Sequence, residues 1–230
     1  MARHIPEHRF DDLIDAATEV FIARGYRLTQ MSEIADAVGV AKGTLYGYVE
    51  SKEALFALCM RWADHRGPVE RPQTLPVPTP PSGALSAWAK QRLAEESVPA
   101  PLAAALERDR VDDPRAELEA VLRSYYTLNE RHHRTLKLID RAIDHPELGP
   151  VWQAAGREQT RITIARYIEL RIRAGQFRKV RSVRLAARMI VETVATWAIH
   201  IHWDPVPEDF DPDEARENAI DFLVRGLIEL

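Results

Sequence analysis

A chain of 230 residues with 46% hydrophobic content is long enough to hold a small domain and a larger one, each with its own core. Its formal charge is −4, and its one cysteine, Cys59, excludes an internal disulfide and a cysteine zinc cluster. The N-terminus lacks an apolar leader core and the longest uncharged apolar run, Thr193 to Trp203, is too short to cross a bilayer, so a cytoplasmic protein with no membrane attachment is expected.

Arg3, His4, His8 and Arg9 open the chain as a short basic arm, able to reach a nucleic-acid backbone or equally to be an unengaged terminus. Phe10, Leu13, Ile14, Ala17, Val20 and Phe21 then recur at three- and four-residue steps, which predicts an amphipathic helix. Arg24-Gly25-Tyr26 ends it with a residue free to take positive φ, followed by an aromatic.

Residues 29 to 56 are the densest pattern. Met31, Ile34, Ala35 and Val38 give a short helix one apolar face, with Ser32, Glu33 and Asp36 opposite. Gly39 supplies the turn and Val40 its apolar plug. A second helix is expected from Ala41 to Val49, with Leu45 and Val49 inward and Lys42, Thr44, Tyr46 and Tyr48 outward, where hydroxyl and amine groups suit phosphates and base edges. Ser51 caps the next helix, placing Lys52 in its first turn as a phosphate-contact candidate. Taken alone, this is equally the pattern of a helical hairpin whose tyrosines pack on neighbours. Cys59, among Leu55, Phe56, Leu58 and Met60, reads as a buried structural thiol.

With the upstream helix closing a small bundle, Gly25-Tyr26, Thr29 and IADAVGVAKGTLYGYVESKEALF resemble the N-terminal domain of TetR-family transcriptional regulators over residues 9 to 58. The resemblance implies an all-α chain with an N-terminal three-helix DNA-binding domain and a larger helical ligand-binding and dimerisation domain. It implies DNA contacts at Lys42, Thr44, Tyr46, Tyr48 and Lys52, with Thr29 as a further phosphate-contact candidate. Three departures stand out. Val49 replaces a larger core aromatic, Gly47 a position that often carries a reading side chain, and Gln30 the usual Thr or Ser cap, so Thr29 must cap or the helix start is weaker. Residues 1–60 hold six Lys and Arg against nine Asp and Glu, so the positive charge is local, at Arg3, Arg9, Lys42 and Lys52.

Pro68, Pro72, Pro76, Pro78, Pro80 and Pro81 forbid helix and read as a surface loop over 68–81, less readily as a docking site for a partner. Short helices are expected over Ala84–Glu96 and Leu102–Arg110. From Pro114, with Asp112 and Asp113 as caps, one long helix is expected through Leu118, Val121, Leu122, Tyr125, Leu128, His132, Leu136, Ile139 and Ile143, broken by His145-Pro146. Another follows over Val151–Ala174. The domain division by motif is 1–51 and 52–230.

Arg181–Trp203 is apolar on most sides and Asp213–Ile228 over a wide arc, so each needs a second cover. They resemble the paired terminal helices of the family's dimer, with Met189, Val194, Ile201, Ile220, Leu223 and Leu227 as interface candidates. Two-fold pairing presents recognition helices to half-sites about 34 to 36 Å apart or multiples of that.

The resemblance further implies a pocket for a small organic effector, for which Tyr125, Tyr126, His132, Trp152, Tyr167 and Trp197 combine aromatic walls with polar tips. No cofactor is implied. Neither His132 with His133 nor His200 with His202 has metal-binding helical spacing, so no metal site is expected. The chain has no GxSxG, Walker, HExxH or paired-Cys motif, and is not expected to be an enzyme. The reading is a ligand-responsive homodimeric repressor of a palindromic operator, repression being favoured because occupancy alone can block a promoter. Effector binding would shift the helix that starts at Lys52. A DNA-binding regulator or architectural protein controlled by a protein partner, without small-molecule effector, is the alternative.

Overall fold

The computed structural model describes residues 7–63, 72–96 and 98–228, excepting the side chains of Glu7, His8 and Glu96. Arg3, His4, the His8 side chain and Pro68 therefore lie outside the described residues. All regular structure among those described is helical, joined by a single isolated parallel bridge between Val49 and Val77. None of the described helices is long and apolar enough to cross a membrane. Compactness groups the chain along other lines than the motif boundary. One unit comprises residues 1–90 and 134–152, the other 91–133 and 153–230.

In the first unit, α1 (Glu7–Arg24) packs on α2 (Met31–Val38) and α4 (Lys52–Ala63). Its stripe of Phe10, Leu13, Ile14, Ala17 and Phe21 is buried with Ile34, Ala35, Leu45, Val49, Leu55, Phe56 and Met60. The α2 cap is Gln30, whose N–H donates to Glu33 Oε2 at 2.9 Å. Thr29 does not cap; its hydroxyl donates back to the Gly25 carbonyl at 2.7 Å. Gly39 ends α2 at φ 73°, and Ser51 Oγ accepts from Ala54 N at 3.1 Å at the start of α4. The expected Ala41–Val49 helix contracts to a single turn, α3 (Lys42–Leu45). Gly43 and Gly47 weaken helix here, and Val49 is drawn into extended pairing with Val77. The Pro-rich segment is thus not a free loop: its residues 77–79 bond to residues 48–51.

Residues 134–152 complete this unit. The helix expected from Pro114 to Ile143 breaks at His132 (φ −106°, ψ 18°) into α7 (Pro114–Arg131) and α8 (His133–Asp140), because its apolar residues serve different cores. Leu118, Val121 and Leu122 are buried in the second unit, Leu138 and Ile139 in the first. A short α9 (Leu148–Val151) follows.

The second unit packs α6 (Ala100–Leu106), α7, α10 (Gln159–Arg173), α11 (Val183–Ala198) and α12 (Pro212–Arg225); of α5 (Ala84–Glu96), residues up to Lys90 belong to the first unit and those from Gln91 to the second. A π-helical stretch, Trp152–Glu158, precedes α10, and a 3-10 turn, His200–Trp203, follows α11. Side chains of Asp113, Ser182 and Asp211 cap α7, α11 and α12. At the centre, Arg171 is fully buried. Its guanidinium meets Glu117 through Nε at 2.7 Å and Nη2 at 2.9 Å and donates to the Ala105 and Arg108 carbonyls, both at 2.8 Å. Tyr167 Oη donates to the same carboxylate at 3.1 Å, so three helices share one satisfied ion pair.

Candidate nucleic-acid interface

Leu45 anchors α3 in the core and thereby turns Lys42, Gly43 and Thr44 to solvent, with Tyr46 next in line at 41% exposure. This exposed amine, hydroxyl and phenol set is what the turn offers to a polyanion. The other sequence candidates sit deeper. Tyr48 and Thr29 are buried. Lys52 reaches inward: its Nζ donates to the carbonyls of Tyr26 at 3.0 Å and Thr29 at 3.2 Å and lies 4.5 Å from the Tyr26 ring centroid. A phosphate at Lys52 would have to share it with those carbonyls. Gly47 leaves bare backbone beside Tyr46, and Val49 is fully buried despite its small size.

Behind this face is a second layer that spacing alone did not reveal. Tyr26 is in ring contact with Phe21, Phe56 and His145, and its hydroxyl donates to Glu53 Oε1 at 2.9 Å. Burial, with the Glu53 hydrogen bond, raises the Tyr26 pKa, so it stays a neutral donor. Glu53 is held below the usual carboxylate range, chiefly by a hydrogen bond from its own backbone N–H. Arg141 closes the end of α1, donating from Nε to the Ile22 carbonyl and from Nη2 to Ala23, both at 2.8 Å. Its own carbonyl accepts the Tyr26 N–H at 3.2 Å. Gly25 permits this approach, since a Cβ there would meet that carbonyl oxygen at 2.9 Å in a φ of +78°. Arg134 bridges Asp15 and Glu19 on α1, and Asp15 also accepts from Trp62 Nε1. The only sequence signal for these partners is the break at His145-Pro146.

Of the effector-pocket candidates, Tyr125, Tyr126, His132, Tyr167 and Trp197 lie in the second unit and Trp152 in the first. Their polar tips are partly engaged within the chain. Tyr126 Oη donates to the Trp197 carbonyl at 3.0 Å, Tyr167 to Glu117, and Trp152 Nε1 to Asp140 at 2.9 Å. Tyr125 is buried, which pushes its pKa up to about 12. Trp197 packs edge-on against Phe210 with centroids 5.4 Å apart.

Among the interface candidates, Met189 is 65% exposed and Ile201 half-buried, whereas Val194, Ile220, Leu223 and Leu227 are buried by the chain's own packing. The apolar side chains that α11 and α12 leave in solvent are Met189, Leu185 and Phe222, the last at 75% exposure. Leu185 and Met189 are one helical turn apart, a spacing that could have identified the pair in the sequence. The histidines meet across the two pairs, His133 against His202 with centroids 4.5 Å apart. Among the described residues no cluster of three or more His, Cys, Asp or Glu could hold a metal. Cys59 is buried and its pKa is pushed up to about 12 by desolvation.

Residues 13–59 match the family model of bacterial regulatory proteins, tetR family. The chain is 43% identical over 60 residues to the HTH-type transcriptional activator FasR of Mycolicibacterium smegmatis, covering 26% of this chain and 27% of that protein. It is 47% identical over 45 residues to the fatty acid metabolism regulator protein of Bacillus subtilis, covering 20% and 23%. The match thus spans about a quarter of the length of these curated relatives. Over nearly the whole chain the fold is similar to that of the ketosteroid transcriptional regulator KstR2 of Mycobacterium tuberculosis, with a TM-score of 0.58 and 18% identity, covering 99% of this chain and 98% of that one.

Proposed function

We propose that this chain, whose N-terminal domain belongs to the tetR family of bacterial regulatory proteins, is a DNA-binding transcriptional regulator acting as a homodimer on a palindromic operator. The observation that carries this reading is the exposed set Lys42, Thr44 and Tyr46, held on a turn whose Leu45 is fully buried. Lys42 supplies a phosphate contact, while Thr44 and Tyr46 reach backbone or base edges. Lys52, Tyr48 and Thr29 support that face from behind. Their contribution to DNA is mainly to fix the backbone of α2 and α3.

The dimer is assigned to the outer faces of α11 and α12, where Leu185, Met189 and Phe222 are exposed beside the ion pairs Arg188–Glu192 and Asp221–Arg225. An apolar centre with a charged rim is the anatomy of a subunit interface. The second unit is assigned the effector, a small organic molecule recognised among Tyr125, Tyr126, His132, Tyr167 and Trp197. The curated relatives include a transcriptional activator, so the shared N-terminal domain does not set the sign of regulation. Repression is proposed because occupancy of a promoter suffices for it. Action on chromosomal DNA places the protein in the cytoplasm, and no enzymatic step is assigned.

The test is selection of duplexes from random-sequence DNA by the purified full chain, followed by affinity measurement on the selected sequence. Enrichment of an inverted repeat bound in a salt-sensitive way is expected. Failure to enrich any sequence at low salt, with a folded protein, would sink the reading.

A further inference from the structure

The run Pro76-Val77-Pro78-Thr79-Pro80 alternates residues with and without an amide hydrogen. In extended backbone, successive residues turn their N–H and C=O groups to opposite sides, so this run carries donors along one edge only. Both donors are spent on the stretch between α3 and α4. The Val77 N–H donates to the Tyr48 carbonyl at 2.8 Å and the Thr79 N–H to Glu50 Oε2 at 2.9 Å. In return the Glu50 N–H donates to the Val77 carbonyl at 3.0 Å, and the Thr79 hydroxyl donates to Ser51 Oγ at 2.8 Å. The prolines leave the other edge without donors, so it cannot template a further strand. The segment is a one-sided strap laid where α3 hands over to α4.

What it holds has little stability of its own. α3 is a single turn of four residues, Lys42–Leu45, with Gly43 inside it and Gly47 just beyond. A helix that short does not persist on its backbone hydrogen bonds alone. At its far end the strap runs into α5, where Glu147 accepts from the Gly83 N–H at 2.7 Å and from the Ser86 N–H at 3.4 Å. Both ends are therefore fixed within the same compact unit.

We propose that residues 76–80 set the position of the recognition turn, which makes Val77 and Thr79 positioning residues for operator recognition through their bonds to Tyr48 and Glu50. The inference rests on the DNA-binding function proposed above.

The test is Val77→Pro in the full chain, which removes the donor to Tyr48 while leaving charge and the exposed reading side chains unchanged. On the duplex selected by the wild type, affinity falls about tenfold, the scale of one or two lost hydrogen bonds. On a non-operator duplex at the same salt the change stays below about twofold, with unfolding midpoint and oligomeric state preserved. If Val77→Pro fails to fold, Thr79→Pro, which removes the donor to Glu50, is read in the same way. Operator affinity unchanged while the Glu50 amide exchanges freely with solvent would overturn the proposal, as would an equal loss on both duplexes. If the wild type selects no sequence, the DNA reading fails and amide exchange alone decides the strap. Faster exchange at Gly47, Tyr48 and Val49 in Val77→Pro supports positioning, and unchanged exchange overturns it.

Discussion

The ammonium of Lys52 lies 3.0 Å from the carbonyl oxygen of Tyr26 and 4.5 Å from the centroid of the same residue's ring. One side chain thereby ties the first turn of α4 to the loop after α1, directly behind α2. Replacing Lys52 by Ala should lower both operator affinity and the thermal midpoint of unfolding, while the slope of log affinity against log salt stays as in the wild type. A slope reduced by about one, with the midpoint unchanged, would instead make Lys52 a direct phosphate contact.

Lys42 and Tyr46 should separate in the same assay. Lys42→Ala is expected to reduce the salt slope by about one and weaken operator and non-operator binding alike. Tyr46→Ala should cost roughly 1–3 kcal/mol on the operator with the slope retained. Equal behaviour of the two variants would mean that Tyr46 does not reach base edges as proposed.

The exposed triplet Leu185, Met189 and Phe222 predicts a separable dimer. Met189→Glu combined with Phe222→Glu buries charge in the proposed interface and should give a folded monomer by sedimentation, with helical content unchanged. Persistence of the dimer would move the interface elsewhere.

His145 is buried against Tyr26 and Phe56, and its Nδ1 accepts the N–H groups of Glu147 at 3.1 Å and Leu148 at 3.4 Å. Burial depresses its pKa, outweighing the carboxylates of Glu147, Glu53 and Asp144, while Lys52 acts in the same direction as burial. The folded state therefore binds this proton less readily than the unfolded chain. The stability so contributed is fully present above the unfolded value of about 6.5 and is lost as pH falls from there toward the folded value. Urea unfolding between pH 7 and pH 5 should show this decline, with a shallower one for His145→Asn. His202, also depressed by burial, adds a loss of the same sign in both proteins. Identical pH profiles would show that His145 does not govern it.

Arg171 is fully buried, with its guanidinium hydrogen-bonded to Glu117 and to the carbonyls of Ala105 and Arg108 near the end of α6 and lying against the Tyr167 ring. Arg171→Met removes the closest cation from the Glu117 carboxylate, leaving it the Tyr167 hydroxyl at 3.1 Å and the Arg108 guanidinium at 3.5 Å, and should cost about 3 kcal/mol in urea unfolding. A loss below about 1 kcal/mol would mean that the pair contributes little beyond its packing.

Periodicity and turn chemistry, which act within a few residues, determined much of this protein by themselves. They fixed α1, the turn at Gly39, the caps at Ser51 and Asp113, the inward face of Leu45 and Val49, and the exposure of Lys42, Thr44 and Tyr46. They did not reach three features that depend on which distant segments meet. The Pro-rich run read as a loop because nothing local says that Val77 has a partner at Tyr48. The break at His132 is invisible in an apolar stripe that continues through it, since the stripe serves two cores. Lys52 read as a phosphate contact because the Ser51 cap places it in the first turn of a helix, whereas the carbonyls of Tyr26 and Thr29, more than twenty residues away, turn it inward. Local spacing sets which residues share a face. Only the tertiary structure decides what that face meets, because burial and hydrogen-bond satisfaction are settled between segments far apart in the chain.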